Sequence, residues 1–226
     1  MTKMKLCGLF RPCDIDAANE LKPEYIGFVF APKSRRYVTP EEAAELKKLL
    51  APDIQAVGVF VNEVPERIAA FLNKGIIDIA QLHGVEDENE INQLRALTDK
   101  PIIKAFCIKK SEDITNAESC LADYILLDSG EGTGTVFDWK KIQNIQRPYF
   151  LAGGLSIDNV ENAVRQLNRM RSMSVQALRQ MGSKIKRKWR HLLLLSERKN
   201  DYDESKRTLR DSRWTVYSRN IDECSD

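Results

Sequence analysis

The chain has 226 residues, of which 42% are hydrophobic and 30% are charged. This composition can form a core and excludes a chain that is disordered throughout. The longest aliphatic run spans only 192–195, and Arg11 interrupts the apolar stretch at 6–10. A membrane helix needs about 20 apolar residues, and a secretory signal needs an unbroken apolar segment. Neither is expected, and the prediction is a cytoplasmic protein.

The net charge of +2 conceals an uneven distribution along the chain. Residues 1–168 contain 20 basic and 25 acidic side chains, whereas residues 169–226 contain 15 basic and 8 acidic ones. The first segment also contains all 8 prolines and 10 of the 11 glycines. The sequence therefore predicts a folded unit at 1–168 and a distinct basic tail at 169–226.

Seven short apolar runs recur along the first segment, and most begin 21–30 residues after the previous one. They are KLCGLF, YIGFVF, QAVGVFV, IIDIAQL, PIIKAF, YILLD and PYFLAGG. Helical stretches separate them, such as PEEAAELKKLL, in which Thr39 is a capping candidate and Pro40 suits the first turn. Apolar strands that alternate with helices predict a parallel sheet, and this pitch favours a (β/α)₈ TIM barrel, an α/β fold.

An eighth strand is due near residue 172, but the sequence there, RMRSMSVQALRQ, contains no apolar run.

The five cysteines, Cys7, Cys13, Cys107, Cys120 and Cys224, show no C-x-x-C pair. An odd number without paired spacing argues against a disulfide framework or a zinc site, and we expect reduced thiols.

Chemistry in such barrels takes place at the C-terminal ends of the strands. Cys7 lies at the expected end of the first strand, followed by a glycine, and Asp128 closes YILLD. A cysteine on a strand is more often an inert small hydrophobe, and an aspartate after a strand is about as often a turn former or helix cap. Their position at strand ends makes a thiol base and a carboxyl acid the functional alternative.

Four further residues occupy the expected mouth of the barrel. Arg36 could be a solvated loop charge or a bidentate partner for a substrate carboxylate. Gly153 and Gly154 could form an ordinary turn or offer backbone amides to a phosphate. His83 could be a structural histidine or a substrate ligand. Together with a thiol and a carboxyl group, this set suggests proton shuttling on a phosphorylated small molecule.

The ordered motifs KLCGLFR, GFVFAPKSRRYV, VGVFVN, QLHG, KAF, LLDS, GTG, FDW and LAGGL closely resemble those of the phosphoribosylanthranilate isomerases of tryptophan biosynthesis, which are (β/α)₈ barrels. The resemblance covers about residues 5–168. It implies an Amadori rearrangement of N-(5′-phosphoribosyl)anthranilate to 1-(2-carboxyphenylamino)-1-deoxyribulose 5-phosphate. One departure is Phe10, where the family usually has threonine, and its bulk is expected to alter the loop after the first strand.

The resemblance also implies roles for the candidate residues. Asp128 would be the general acid that opens the furanose ring, and Cys7 the general base that removes the C2′ proton. Arg36 would bind the anthranilate carboxylate, His83 would contact the substrate, and Gly153 and Gly154 would form half of a phosphate cradle. No cofactor is expected, because the substrate's own amine serves as the electron sink. The expected partner is this small phosphorylated substrate, not nucleic acid or a membrane, bound by a monomer or homodimer.

The resemblance ends after Asn168, where the family continues with an eighth strand of the type DVSSGIE. Codons can be chosen for residues 168–186 that, when read from their third base, give PDAVDVSSGIETDGFKDK. The same exercise from Asn200 gives a stop codon and an overlapping MTMTNPNVRFGIHGGQY, which looks like the start of a tryptophan synthase β chain. One lost base near the codon of Asn168 would therefore have replaced the eighth βα unit with an out-of-frame tail.

This hypothesis predicts that the literal chain lacks an eighth strand. Its first and seventh strands would then have unpaired edges, and the product would be poorly soluble and nearly inactive. In one alternative, the tail is a genuine nucleic-acid or membrane-surface segment carried by its KIKRKWR cluster, although such charge runs are more often simply solvated. In another, the chain is a different phosphosugar barrel such as indole-glycerol-phosphate synthase, but the lysine and glutamate pattern of that enzyme is not evident.

Overall fold

The computed structural model describes residues 3–128, 139–142, 145–153, 155 and, for the backbone, 170–176. Eight strands form a closed parallel barrel in chain order. They are β1 Lys3–Cys7, β2 Tyr25–Val29, β3 Gln55–Phe60, β4 Ile79–Leu82, β5 Ile102–Cys107, β6 Tyr124–Asp128, β7 Tyr149–Leu151 and β8 Met170–Gln176. The prediction of a (β/α)₈ TIM barrel is confirmed.

Five α-helices connect the first six strands, and a short 3₁₀ helix, Trp139–Ile142, follows β6. The α-helices are α1 Pro12–Leu21, α2 Pro40–Leu49, α3 Pro65–Asn73, α4 Glu88–Leu97 and α5 Ser111–Ser119. As expected from the sequence, Thr39 caps α2. Its hydroxyl accepts a hydrogen bond from the Glu42 amide at 3.2 Å, and its own amide donates to the Glu42 carboxylate at 2.8 Å. Within the described part of the chain, no helix is long and apolar enough to cross a bilayer.

The eighth strand corrects the prediction that this reading frame lacks one. Met170–Gln176 pairs in parallel with β1 over five residue pairs, and it also pairs with β7, with a register shift near Tyr149. The prediction was wrong because it required an apolar run. Ladder hydrogen bonds come from the backbone, so two open strand edges can hold a segment of low apolar content. The edges of β1 and β7 are paired, which removes the reason for expecting poor solubility.

The core has two layers because successive strand residues point to opposite faces of the sheet. The larger layer lies between the strands and the surrounding helices. The smaller one fills the barrel with eight buried residues: Tyr25, Val57, Ile79, Ile103, Ala105, Leu126, Phe150 and Ala152. Tyr25 and Phe150 pack edge to face across the barrel, with ring centroids 5.5 Å apart. On each strand, the next inward-facing side chain after this layer therefore points into the open C-terminal end of the barrel, its mouth.

A buried ion pair joins β5 to the loop after β4. The Lys104 ammonium donates to the Glu86 carboxylate at 2.8 Å and to the Gly84 carbonyl at 2.9 Å, and the two charged side chains are only 6% and 1% exposed. Burial disfavours the charged form of Glu86, but hydrogen bonds from Lys104 and the Asn62 amide outweigh it and lower the pKa of Glu86. Lys104 thus stabilises the fold at this loop.

Replacing Lys104 with methionine should therefore destabilise the protein strongly, because the Glu86 carboxylate would remain buried without its counter-charge. We expect Lys104→Met to lower the free energy of unfolding by about 3–5 kcal/mol, measured by urea denaturation. The matched control is Lys100→Met at an exposed position, which should stay within about 0.5 kcal/mol of the parent chain. Equal stability of the two variants would show that the ion pair contributes nothing.

Candidate active site

The predicted site residues lie at one end of the barrel. Cys7 and Asp128 are the last residues of β1 and β6, and His83 follows β4 directly. Arg36 lies in the loop after β2, and Gly153 lies two residues beyond β7. Gly154 lies outside the described residues. The closed barrel thus brings together residues that are up to 146 positions apart in sequence, as expected for the C-terminal ends of parallel strands.

The half-buried Cys7 thiol occupies a space left by a glycine on the neighbouring strand. Cys7 and Gly27 are register partners of β1 and β2. A Cβ atom at Gly27 would lie 2.6 Å from the Cys7 Sγ, which is closer than real Cβ contacts allow. Gly27 is therefore required for the thiol to keep this position.

Lys5 lies two residues before Cys7, on the same face of β1, and its side chain is fully buried. Burial lowers the pKa of Lys5, while the charge of Cys7 and a hydrogen bond to its side chain act in the opposite direction. The Lys5 ammonium also donates a hydrogen bond to the Gln81 side-chain oxygen. The buried amino group of Lys5 thus lies beside the Cys7 thiol and is hydrogen-bonded to it.

His83 and Asp128 contact each other at the mouth. The His83 Nε2 lies 3.5 Å from the Asp128 carboxylate, and the two side chains are 36% and 19% exposed. On its other side, the His83 Nδ1 lies 2.7 Å from the Gln81 side-chain nitrogen. The carboxyl group predicted as the acid is therefore partly open to solvent and positioned by an imidazole.

Lys5 and Gln81 belong to the site, although the sequence analysis did not select them. Both are buried, and each lies two residues before a selected residue, Cys7 or His83. The signal was available, since a polar residue inside an apolar strand, in phase with a candidate, shares its face.

Arg36 depends on a second glycine. Gly8 has φ +86°, and a Cβ atom there would lie 2.4 Å from the Arg36 Cδ. Gly8 therefore satisfies both a left-handed backbone conformation and the close approach of the arginine side chain. The Arg36 side chain therefore packs against Gly8, the residue that follows Cys7.

Phe10 lies outside the core. Its ring is 43% exposed, and the Arg11 guanidinium is 5.2 Å from the ring centroid. The buried Asp14 carboxylate accepts hydrogen bonds at 3.1 Å from the amides of both residues. The loop after β1 is thus anchored by Asp14 through its backbone, whatever the side chain at position 10.

Comparison with known proteins gives consistent results. The family model for N-(5′-phosphoribosyl)anthranilate isomerase matches residues 4–175. The N-(5′-phosphoribosyl)anthranilate isomerase of Endomicrobium trichonymphae is 40% identical over 173 residues, which cover 74% of this chain and 84% of the relative.

Among solved structures, the phosphoribosyl anthranilate isomerase of Thermotoga maritima superposes with a TM-score of 0.78 at 30% identity, covering 87% of this chain and 99% of that one. A phosphoribosyl anthranilate isomerase in complex with reduced 1-(o-carboxyphenylamino)-1-deoxyribulose 5-phosphate gives a TM-score of 0.75 at 29% identity, with the same coverage of both chains.

The contact between Gly8 and Arg36 can be tested by a double-mutant cycle. Gly75 is the control, because its φ is also positive, at +71°, yet a Cβ atom there would meet nothing within 4 Å. Gly75→Ala should cost only the backbone strain, about 1–2 kcal/mol of unfolding free energy. Gly8→Ala should cost about 1–3 kcal/mol more, because the added methyl group displaces Arg36.

In an Arg36→Ala background, this extra cost of Gly8→Ala should disappear, as measured by urea denaturation. If Gly8→Ala costs the same with and without Arg36, the close approach does not constrain the site.

Proposed function

The chain belongs to the N-(5′-phosphoribosyl)anthranilate isomerase family, and from that premise we propose that Cys7 and Asp128 perform its two proton transfers. The reaction is the Amadori rearrangement of N-(5′-phosphoribosyl)anthranilate to 1-(2-carboxyphenylamino)-1-deoxyribulose 5-phosphate in tryptophan biosynthesis. It breaks the ring C1′–O bond and moves hydrogen from C2′ to C1′. One group must therefore donate a proton to the ring oxygen, and another must remove one from carbon.

In the proposed mechanism, Asp128 starts protonated and donates its proton to the furanose oxygen. The ring opens, and the anthranilate nitrogen becomes a protonated Schiff base that withdraws electrons from C2′. The Cys7 thiolate then removes the C2′ proton, which gives an enolamine. Tautomerisation to the ketone protonates C1′ and releases the proton of the C2′ hydroxyl. Each positioned acid or base supplies about 10²- to 10⁴-fold.

This assignment rests on one observation: Cys7 and Asp128 lie at the same end of the barrel, and each contacts a different side chain. The buried Lys5 amino group lies beside Cys7, whereas the imidazole of His83 lies beside Asp128. Base and acid are thus held in different electrostatic surroundings, as general acid–base catalysis on one substrate requires.

We propose that the remaining predicted residues bind the two anionic ends of the substrate. Arg36 can offer two parallel N–H donors to the anthranilate carboxylate. Gly153, with φ +77° immediately beyond β7, can present backbone amides to the phosphate. His83, 36% exposed beside Asp128, can contact the sugar between them.

Removing either proton-transfer group should abolish most of the turnover with little effect on substrate binding. We expect Cys7→Ala and Asp128→Asn each to lower kcat at least 100-fold with KM changed by less than about threefold, because the losses fall on the transition state. The fluorescence decrease of N-(5′-phosphoribosyl)anthranilate measures the rate. Cys13→Ala, on α1, and Asp99→Asn, at an exposed position, are the matched controls. Full activity of either main variant would refute its assignment.

We also propose that residues 169–226 are translated out of the family's reading frame. The Endomicrobium relative covers 74% of this chain, whereas the Thermotoga fold covers 87% of it. The strand β8 has the sequence MRSMSVQ, and codons can be chosen for its residues that read AVDVSS in the shifted frame. The backbone position of an eighth strand is thus occupied without the serine and glycine run that the family resemblance expects. The KIKRKWR cluster lies outside the described residues.

Restoring the frame after Asn168 should improve substrate binding, because the S-S-G run would return backbone donors to the phosphate. A hydrogen bond to a charged group contributes about 1.5–3 kcal/mol, so losing one raises KM about 10- to 100-fold. We expect the literal chain to show this increase relative to the frame-restored protein, and inorganic phosphate to inhibit only the latter at millimolar concentration. Equal kcat/KM for both proteins would contradict the phosphate-binding role of the S-S-G run, and an intact gene sequence with no missing base near the codon of Asn168 would overturn the frame hypothesis.

The cytoplasmic location and the choice between a monomer and a homodimer stay predictions of the sequence. Sedimentation velocity on the purified chain would decide the second. The family's substrate is a small phosphorylated molecule, and the site described above contains groups suited to both of its charged ends.

A further inference from the structure

Four polar side chains form one continuous line of contacts across the barrel mouth. Lys5 on β1 donates to the Gln81 side-chain oxygen, and the Gln81 nitrogen lies 2.7 Å from the His83 Nδ1. The His83 Nε2 then lies 3.5 Å from Asp128 on β6. Lys5 and Gln81 are 0% and 2% exposed, so water does not replace these contacts.

This line has a direction, because its first member is a hydrogen-bond donor. The Lys5 amino group donates to the oxygen of the Gln81 amide. The amide nitrogen, which also only donates, is then the atom that faces His83. The Nδ1 of His83 must therefore accept, which places the ring proton of a neutral imidazole on Nε2, toward the Asp128 carboxyl group.

Rotating the Gln81 amide by 180° would not rescue the opposite arrangement. It would turn the amide NH₂, a donor, toward the Lys5 amino group and remove the oxygen that accepts from Lys5. Protonating His83 at Nδ1 would likewise set two donors against each other across 2.7 Å. Both alternatives leave buried polar groups unsatisfied, so the buried pair selects one state of the imidazole.

The other charged groups around His83 do not supply an acceptor for Nδ1. Cys7 lies with Lys5 on β1, and Asp128 faces the Nε2 side of the ring. The remaining two, Lys104 and Glu86, are bonded to each other and to the backbone of Asn62 and Gly84. Within the described residues, Gln81 is thus the group that determines which ring nitrogen holds the proton.

We propose that Lys5 and Gln81 are positioning residues that hold His83 in its neutral, Nε2-protonated form, so that Asp128 faces a hydrogen-bond donor and not a cation. The consequence for catalysis rests on the proposed role of Asp128 as the acid. An imidazolium at this distance would favour the carboxylate and withhold the proton that ring opening needs. A neutral imidazole orients the carboxyl group without imposing that charge.

The test is ¹⁵N NMR of the full chain labelled at its histidines. The sequence contains only His83 and His191, and His83→Asn assigns the two signals. Two-bond ¹H–¹⁵N spectra distinguish both neutral tautomers from the imidazolium. We expect the neutral ring of His83 to give the spectrum of the Nε2–H tautomer. The spectrum of an Nδ1–H tautomer would overturn the proposal.

A variant then tests the cause. Gln81→Glu offers a carboxylate that accepts from both Lys5 and a protonated Nδ1, so His83 should become an imidazolium at pH 7. The same change at Gln55, on the exposed start of β3, should leave the His83 signals unchanged. If Gln81→Glu does not fold, Lys5→Met removes the donor that orients the amide, and a signal of the Nδ1–H tautomer of His83 should appear. An unchanged spectrum in either folded variant would contradict the mechanism.

Turnover separates this inference from the assignment of the acid. Gln81→Glu should lower kcat at least tenfold at pH 7 with KM little changed. An Nε2–H tautomer of His83 in a protein whose Asp128→Asn variant is fully active would refute the acid assignment and leave the tautomer inference standing. The converse result would refute the tautomer inference alone.

Discussion

The site depends on the hydrogen bonds of one amino group, that of Lys5, which is buried inside the barrel. A buried ammonium is costly unless hydrogen bonds and charges replace its water, and burial lowers the pKa of Lys5 accordingly. Gln81 and Cys7 supply those partners. The same two contacts extend outward, one to the thiol and the other through His83 to Asp128. Satisfying one buried charge therefore organises both halves of a proton-transfer site.

Closure of the barrel determines which side chains can share this interior. Because each strand alternates its faces, the register of β1 against β2 and of β4 against its neighbours places polar residues directly above the inner apolar layer. Lys104 shows what happens to a lysine on the opposite face of a strand. It lies one residue after Ile103 on β5 and points away from the inner cluster, to Glu86. Two buried lysines therefore have different roles, and the strand phase separates them.

The site departs from ordinary strand and loop preferences at specific points. Glycine replaces a side chain at Gly27 to admit the thiol, and at Gly8 to admit Arg36 at a positive φ. Polar Lys5 and Gln81 occupy inner positions that apolar residues would fill in a barrel built only for stability. Departures of this kind concentrate where function requires them, and the closed sheet and helix layer compensate for their cost.

The sequence by itself determined the barrel, the seven apolar strands and the residues at the strand ends, because periodicity and pitch are local properties. It also carried the family motifs that identify the reaction. It did not reveal that Lys5 and Gln81 act together, since their contact joins residues 76 positions apart. The strand pitch placed an eighth strand near residue 172, but the sequence did not show that residues without an apolar run would form β8 there. Only the tertiary structure decided these points. The partners of a buried charge and the pairing of a polar segment depend on which strands become neighbours when the barrel closes.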